Sequence, residues 1–217
     1  MESVLSIITV AGIKGGSGKT TLSTNLAIMR QLDGKETLLI DGDEQGSSTD
    51  FSAVRADVRG DTGYTCIQLS GNAIRTQGLM ISNKYDDVII DAGGRDTTSQ
   101  RAALIISHIA LIPFNPRSLD IWTLGKVITL IEECKTVNPS LRVLTVLNKA
   151  DGAGTDNAEA AEILRDVKDF IYIDSPIGLR KVFANAASNG CSVVEQKPYD
   201  TKAIKEIKNL YGHIYDV

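Results

Sequence analysis

The residues with the most chemistry in them stand together: Lys14-Gly15-Gly16-Ser17-Gly18-Lys19-Thr20-Thr21. Glycine tolerates the backbone angles that turn successive N–H groups inward, so such a loop can surround phosphate oxygens. A helix beginning at the loop's end sets its positive dipole end behind them. At this spacing Lys19 reaches the β- and γ-phosphates of a nucleotide, and the Thr20 hydroxyl is a ligand for Mg2+. The flanks agree. An apolar run, Leu5–Val10, reads as a buried strand, and Leu22, Leu26 and Met29 share one face of a helix. Strand, glycine loop and helix are the setting a phosphate-binding loop needs.

Further carboxylates follow apolar runs. Asp41-Gly42-Asp43-Glu44-Gln45-Gly46 comes after the short strand Thr37–Asp41. Taken alone it is a solvated acidic turn; beside a phosphate loop it becomes a candidate for positioning an attacking water. Asp91 closes the strand Asp87-Val88-Ile89-Ile90, where a carboxylate acts on Mg2+ through water. Gly93 and Gly94 free the backbone behind it, so this loop could offer an N–H to a γ-phosphate, and Arg95-Asp96-Thr97-Thr98 could change shape with nucleotide state.

The elements that must position these residues alternate along the whole chain. Expected strands are Leu5–Val10, Thr37–Asp41, Thr65–Leu69, Asp87–Asp91, Ile109–Pro113 (ended by its proline), Leu141–Leu147 and Phe170–Ile173. Expected helices follow the phosphate loop and cover Asn72–Lys84, Thr98–Ser107, Ser118–Cys134, Ala158–Val167, Arg180–Asn189 and Thr201–Tyr211. The stretch up to about Gly63 reads as polar, glycine-containing connection. This alternation predicts an α/β fold, a mostly parallel sheet with helices on both faces. In such sheets ligands lie at the carboxyl ends of the strands. No Gly-, Pro- or Ser-rich linker divides the chain, so residues 1–217 are expected to form a single domain.

Composition narrows the chemistry. The chain has 217 residues, enough for one sizeable core, and 42% of them are hydrophobic. No apolar run reaches the ~18 residues of a membrane span. Met1-Glu2-Ser3 leads straight into a strand, which argues against a signal peptide and for a cytoplasmic protein. Cys66, Cys134 and Cys191 are scattered and odd in number, reading as reduced thiols. His108 and His213 are too few for a histidine metal site or triad. A net charge of −4 means that any nucleic-acid contact needs a local basic patch.

The glycine loop departs from an ordinary Walker A motif, carrying Ile13 where a glycine is usual and a second lysine, Lys14. K-G-G-x-G-K-T-T resembles the deviant Walker A ATPases: ParA-type partition proteins, MinD and the nitrogenase iron protein. Ile13 leans toward ParA, and the resemblance covers nearly the whole chain, without room for the N-terminal helix-turn-helix of longer ParA proteins. It implies the P-loop NTPase fold and Mg2+-dependent hydrolysis of ATP. The nucleotide would contact Lys14, Gly15, Gly16, Ser17, Gly18, Lys19, Thr20 and Thr21. Lys14 would cross a dimer interface to the other subunit's nucleotide, much as an arginine finger does. Asp43 would orient the water, and Thr20, Asp41 and Asp91 would serve Mg2+. Asn148 would face adenine, with Pro176 and Ile177 bordering the base. Pro116-Arg117-Ser118-Leu119-Asp120 and Pro176-Ile177-Gly178-Leu179-Arg180 also look like ParA segments. Against adenine stands Asn148-Lys149-Ala150-Asp151, whose N-K-x-D wording is that of guanine-reading GTPases; D-x-x-G at Asp91–Gly94 adds to that reading.

The family resemblance further implies an ATP-dependent homodimer, non-specific DNA as the matrix, a ParB-like adaptor that stimulates hydrolysis, and a nucleoid-associated location. Arg180, Lys181, Lys202 and Lys205 are the candidate DNA contacts, with Lys197 and Lys208 nearby; a solvated helix face is the plainer alternative. A MinD-like membrane positioner would need a basic amphipathic C-terminal helix. Ala203, Ile204, Ile207, Leu210 and Tyr211 do form an apolar stripe, which core packing explains more simply. A metabolic amidase-ligase on the same fold would need a dedicated substrate site, and no stretch supplies one.

Overall fold

The structure is a computed structural model that describes residues 6–94, 96–116, 123–152 and 155–215. The expectations placed on Leu5, Arg95 and Arg117–Asp120, and the first turn of the helix expected from Ser118, lie outside these residues.

Strands β1 (Ser6–Val10), β2 (Thr37–Asp41), β3 (Thr65–Gln68), β4 (Asp87–Asp91), β5 (Ile109–Phe114), β6 (Arg142–Ala150) and β7 (Phe170–Gly178) form one seven-stranded sheet. Its order is β3-β2-β4-β1-β5-β6-β7, and every pairing is parallel. The helices are α1 (Lys19–Leu32), α2 (Ser47–Arg59), α3 (Leu79–Ser82), α4 (Thr98–Ile106), α5 (Leu124–Lys135), α6 (Asp156–Arg165), α7 (Lys181–Ser188) and α8 (Thr201–Tyr215). A π-helical turn, Ile74–Gly78, runs without a break into α3, so the helix expected over Asn72–Lys84 is one continuous helical stretch with wider hydrogen bonding in its first part.

Alternation along each strand assigns its faces. Ile8, Leu39, Ile89, Leu111, Leu144 and Ile173 share a core with α1 and α8. On the opposite face, Leu38, Ile40, Val88 and Ile90 join Ala102 and Ala103 of α4, while Ile112, Val143 and Leu147 join α5 and α6. Helices therefore cover both faces, and the central strands read as continuous apolar runs because neither face meets water. Among the described residues, no helix is long and apolar enough to cross a membrane. His108 accepts a hydrogen bond from the Ile7 backbone N–H at 2.9 Å, a structural role.

Several boundaries differ from expectation. The stretch read as polar connection contains α2, thirteen residues long. Its inward face carries Ser48, Phe51, Ser52 and Arg55, whereas Val54 and Val58 face solvent. Phe51 is the one large apolar side chain among its buried residues, too little for the apolar stripe that marks a helix in a sequence. β5 runs through Pro113 to Phe114. Leu111 bonds β1 through its carbonyl, and Pro113, two residues on, faces the same side. β1 pairs only as far as Leu111, so the missing N–H of Pro113 removes no ladder bond. β6 and β7 extend to Ala150 and Gly178, which makes Pro176 and Ile177 strand residues.

Candidate nucleotide site

The loops after β1, β2 and β4 and the end of β6 close on one open cleft of about 660 Å³ at the carboxyl end of the sheet. Its walls include Gly15, Lys19, Thr20, Asp43, Gly94 and Lys149; Gly16, Gly18 and Thr21 line it as well. β1 delivers Lys14–Gly18 into the switch between β4 and β5, the position where a parallel sheet opens a crevice. Gly18, at φ 93°, caps α1 in the left-handed region and turns the loop into the helix.

Lys19 is the charge at the centre. It is buried, and its ammonium donates to the Lys14 carbonyl at 3.2 Å. Burial lowers its pKa, while the Asp91 and Asp43 carboxylates act in the opposite direction. Asp91, at the end of β4, is buried too. Its Oδ2 accepts from the Ser48 hydroxyl at 2.7 Å, and the Thr20 hydroxyl also interacts with the carboxylate. Its Oδ1 is buried with no hydrogen-bond partner among the described residues, as is the Ser17 hydroxyl oxygen. Burial pushes the Asp91 carboxyl up to about 6, against the pull of Ser48, Thr20 and Lys19. An orphaned carboxylate oxygen beside a hydroxyl is chemistry that suits a hard cation. No cluster of three His, Cys, Asp or Glu side chains occurs among the described residues, so a cation held here would depend on phosphate oxygens as well.

The two carboxylates after β2 differ. Asp41 is fully buried and engaged: Oδ2 accepts from the Thr49 N–H at 2.8 Å and hydroxyl at 2.9 Å, and Oδ1 from the Asp43 N–H at 3.2 Å. It shapes the turn into α2. Asp43 is half-buried in the cleft wall, with Oδ1 accepting from the Gln45 N–H at 3.1 Å. Gly93 lies beneath it, where a Cβ would come 3.4 Å from the Asp43 carboxyl carbon. Gly94 lies against the phosphate loop: a Cβ there would be 2.9 Å from the Gly15 Cα and 3.3 Å from the Lys19 ammonium.

The end of β6 touches the loop directly. Asn148 Nδ2 donates to the Ser17 carbonyl at 2.6 Å, and Lys149 Nζ donates to the Gly16 carbonyl at 2.6 Å. Nothing in the sequence marks Lys149 as a loop contact beyond its place in N-K-x-D. Asp151 is exposed, with its backbone carbonyl accepting from Asn157. Ile177 pairs in register with Asn148 on β7, while Pro176 is exposed on that strand; neither lines the cleft. Lys181, Lys202, Lys205 and Lys208 are exposed, the last three on the side of α8 away from its buried Ala203, Ile207 and Leu210. Arg180 differs from them: its guanidinium pairs with both oxygens of Glu206, at 2.6 and 3.0 Å.

Comparison with known proteins agrees with this geometry. The protein called maintenance of carboxysome distribution protein A, from Halothiobacillus neapolitanus, is 27% identical over 212 residues, which is 95% of each chain. The ATP complex of a Cyanothece McdA variant superposes with a TM-score of 0.79 at 16% identity, covering 100% of this chain and 98% of that one. The septum site-determining protein MinD of Pyrococcus horikoshii, complexed with Mg-ADP, gives 0.73 at 18% identity, covering 98% and 96%. Residues 8–193 match the family described as the CobQ/CobB/MinD/ParA nucleotide binding domain. With the glycine loop, the Asp91 strand end and the all-parallel sheet in their places, the chain belongs to the CobQ/CobB/MinD/ParA family of nucleotide-binding domains.

Proposed function

We propose that this chain, as a single domain, is a ParA-type ATPase that dimerises on ATP, binds DNA without sequence preference and distributes a cargo. A ParB-like adaptor would stimulate hydrolysis, in the cytoplasm and over the nucleoid. The observation that carries the reading is the cleft itself. Lys19 and Asp43 stand in its walls, and the carboxylates of Asp43 and the half-orphaned Asp91 both act on the Lys19 ammonium. The relatives add to it: one is named for carboxysome distribution, and solved neighbours hold ATP or Mg-ADP.

In this reading Lys19 neutralises the β- and γ-phosphate oxygens, and the loop amides from Gly15 to Thr21 surround them. Thr20 and Asp91 would hold Mg2+, with Asp41 shaping the loop behind them. Bound Mg2+ would supply charge neutralisation at the phosphates. Asp43 accepts a hydrogen bond from the attacking water and aligns it with the γ-phosphorus. The Gly93–Gly94 turn, already against Gly15 and Lys19, is placed to respond to a γ-phosphate. Lys14 acts on the nucleotide of the second subunit. Lys181, Lys202 and Lys205 give DNA its electrostatic hold; Arg180, tied to Glu206, contributes less than its charge suggests.

Light scattering with ATP on two variants tests the mechanism. Asp43→Ala keeps the phosphate loop and Lys14, so it should bind ATP and accumulate as a dimer. Lys14→Ala should bind ATP as a monomer. Hydrolysis should be low in both; by analogy with arginine fingers, the loss of a trans cation costs on the order of 10³–10⁵ in rate. A Lys14→Ala protein that dimerises and hydrolyses like the parent rules out the shared-site dimer.

A further inference from the structure

A second concavity shares no lining residue, among the described residues, with the nucleotide cleft. It is an open groove of about 510 Å³ between α7 and the segment that enters α8. Val182 and Asn185 line it from α7, and Pro198, Tyr199, Thr201 and Lys202 line it from the other side. Tyr199 is 57% exposed, an aromatic ring left in water in a groove that also holds a proline and a valine. Val182 packs against the main core as well, so that wall belongs to the body of the protein.

The opposite wall is held at both ends. The turn 192–196 leads into it. Asn25 of α1 accepts from the Ser192 hydroxyl at 2.7 Å and from the Val193 N–H at 2.9 Å. Arg55 of α2 donates to both oxygens of Glu195, at 2.8 and 3.1 Å. At the far end Asp200 accepts from the Lys202 and Ala203 N–H groups, at 3.1 and 3.0 Å, and caps α8. A surface preset in this way loses little freedom when a ligand arrives.

The charge around the groove is one-sided. Residues 180–206 contain three carboxylates, Glu195, Asp200 and Glu206. Each is engaged: Glu195 by Arg55, Asp200 by the α8 amides, Glu206 by Arg180. Lys181, Lys197 and Lys202 are exposed. Lys181 stands one turn before Asn185 on α7, and the Lys197 ammonium lies 5.8 Å from the centre of the Tyr199 ring. An apolar hollow rimmed by cations complements carboxylates set around an apolar side chain. Duplex DNA presents phosphates but no apolar side chain to cover Val182, Pro198 and Tyr199.

We propose that this groove docks an acidic peptide segment of another protein. The segment seats an aromatic or branched apolar side chain against Tyr199 and pairs its carboxylates with Lys181, Lys197 and Lys202. Asn185 and Thr201 offer an amide and a hydroxyl to its backbone. Lys181 and Lys202 also stand among the proposed DNA contacts and Tyr199 does not, so Tyr199 separates the two ligands.

The test is selection of a random phage-displayed peptide library on the immobilised full chain, without nucleotide, followed by fluorescence anisotropy of the enriched peptides. They should carry Asp or Glu around an aromatic or branched apolar residue. Tyr199→Ala, at an exposed position, should weaken them by about tenfold, and Lys202→Glu by at least as much. Thermal unfolding checks that both variants fold. Labelled duplex DNA, with ATP and Mg2+ present, should bind Tyr199→Ala as it binds the parent. Enriched peptides that are neutral or basic, or that bind Tyr199→Ala like the parent, overturn the proposal, as does a library that yields no binder. A fall in DNA affinity with Tyr199→Ala gives the groove to nucleic acid, and a fall in self-association gives it to a second copy of this chain; either overturns the proposal. The selection contains no nucleotide, so its failure leaves the nucleotide-site reading standing.

Discussion

Strand β4 carries a buried aspartate at each end, Asp87 at 2% exposure and Asp91 at 1%, and the two are treated in opposite ways. At Asp87 the charge is answered. Arg30 of α1 donates Nε at 2.7 Å and a second bond from Nη2, and stacks its guanidinium over the Tyr215 ring at 4.2 Å. The same arginine reaches the Tyr211 hydroxyl at 3.1 Å, so α8 is fastened to α1. At Asp91 the direct partners are hydroxyls, and one oxygen has none among the described residues. Burial raises the pKa of both carboxyls; at Asp87 an adjacent arginine opposes the rise, while at Asp91 it reaches about 6. A buried charge that is fully paired fixes structure, and one left short of partners marks a place where a ligand completes the set. The Asp87 end ties helices together, and the Asp91 end keeps a carboxylate oxygen without a partner among the described residues.

The contrast can be broken by unfolding the nucleotide-free protein in urea. Arg30→Met leaves Asp87 buried without its partner and should cost about 3–5 kcal/mol. Asp91→Asn removes a charge that is already poorly compensated, so its stability should equal or exceed the parent's, while Mg2+-dependent hydrolysis is lost. An Asp91→Asn protein destabilised as much as Arg30→Met would make Asp91 a structural charge like Asp87.

A smaller effect sharpens the Asp91 end. Gly94 is not in left-handed backbone, so alanine brings no conformational strain there; its Cβ would instead press on Gly15 at 2.9–3.0 Å. Gly94→Ala should slow ATP hydrolysis by about tenfold, roughly 1.4 kcal/mol, because the turn after β4 can no longer close on the phosphate loop. Gly125→Ala, on α5 with no atom within 4 Å of the added carbon, should hydrolyse like the parent. Equal rates for both variants would show that the close approach of Gly94 has no part in the reaction.

The Asp91 end is legible in the sequence, and much of the rest is hidden there. The glycine loop, Asp43 and Asp91 stand in short local patterns with apolar strands before them, and chemistry of that kind survives reading one residue at a time. α2 does not, since two serines and an arginine share its buried face with a single large apolar residue, Phe51. Arg55 there donates to Glu195 at 2.8 and 3.1 Å, a partner 140 positions away. The Arg30–Asp87 pair is equally invisible, spanning 57 positions with no motif to join them. Pro113 misleads because proline reads as a strand end, and only the early exit of β1 makes it harmless. Asn148 and Lys149 stand out as a motif, but their target is set by a bulge and a left-handed residue that no spacing reveals. Arg180 reads as a basic-patch residue, yet Glu206, a turn along α8, holds it.

The most direct test of the account is equilibrium dialysis of labelled ATP, with Mg2+, against the parent chain and Lys19→Ala. Lys19 is the full charge that the phosphate loop presents from within the cleft. Removing it should cost about 2–5 kcal/mol, or roughly 30- to 5,000-fold in affinity. The account predicts saturable binding of one ATP per parent chain and a fall of that size in the variant. Equal affinity in the two proteins would contradict it.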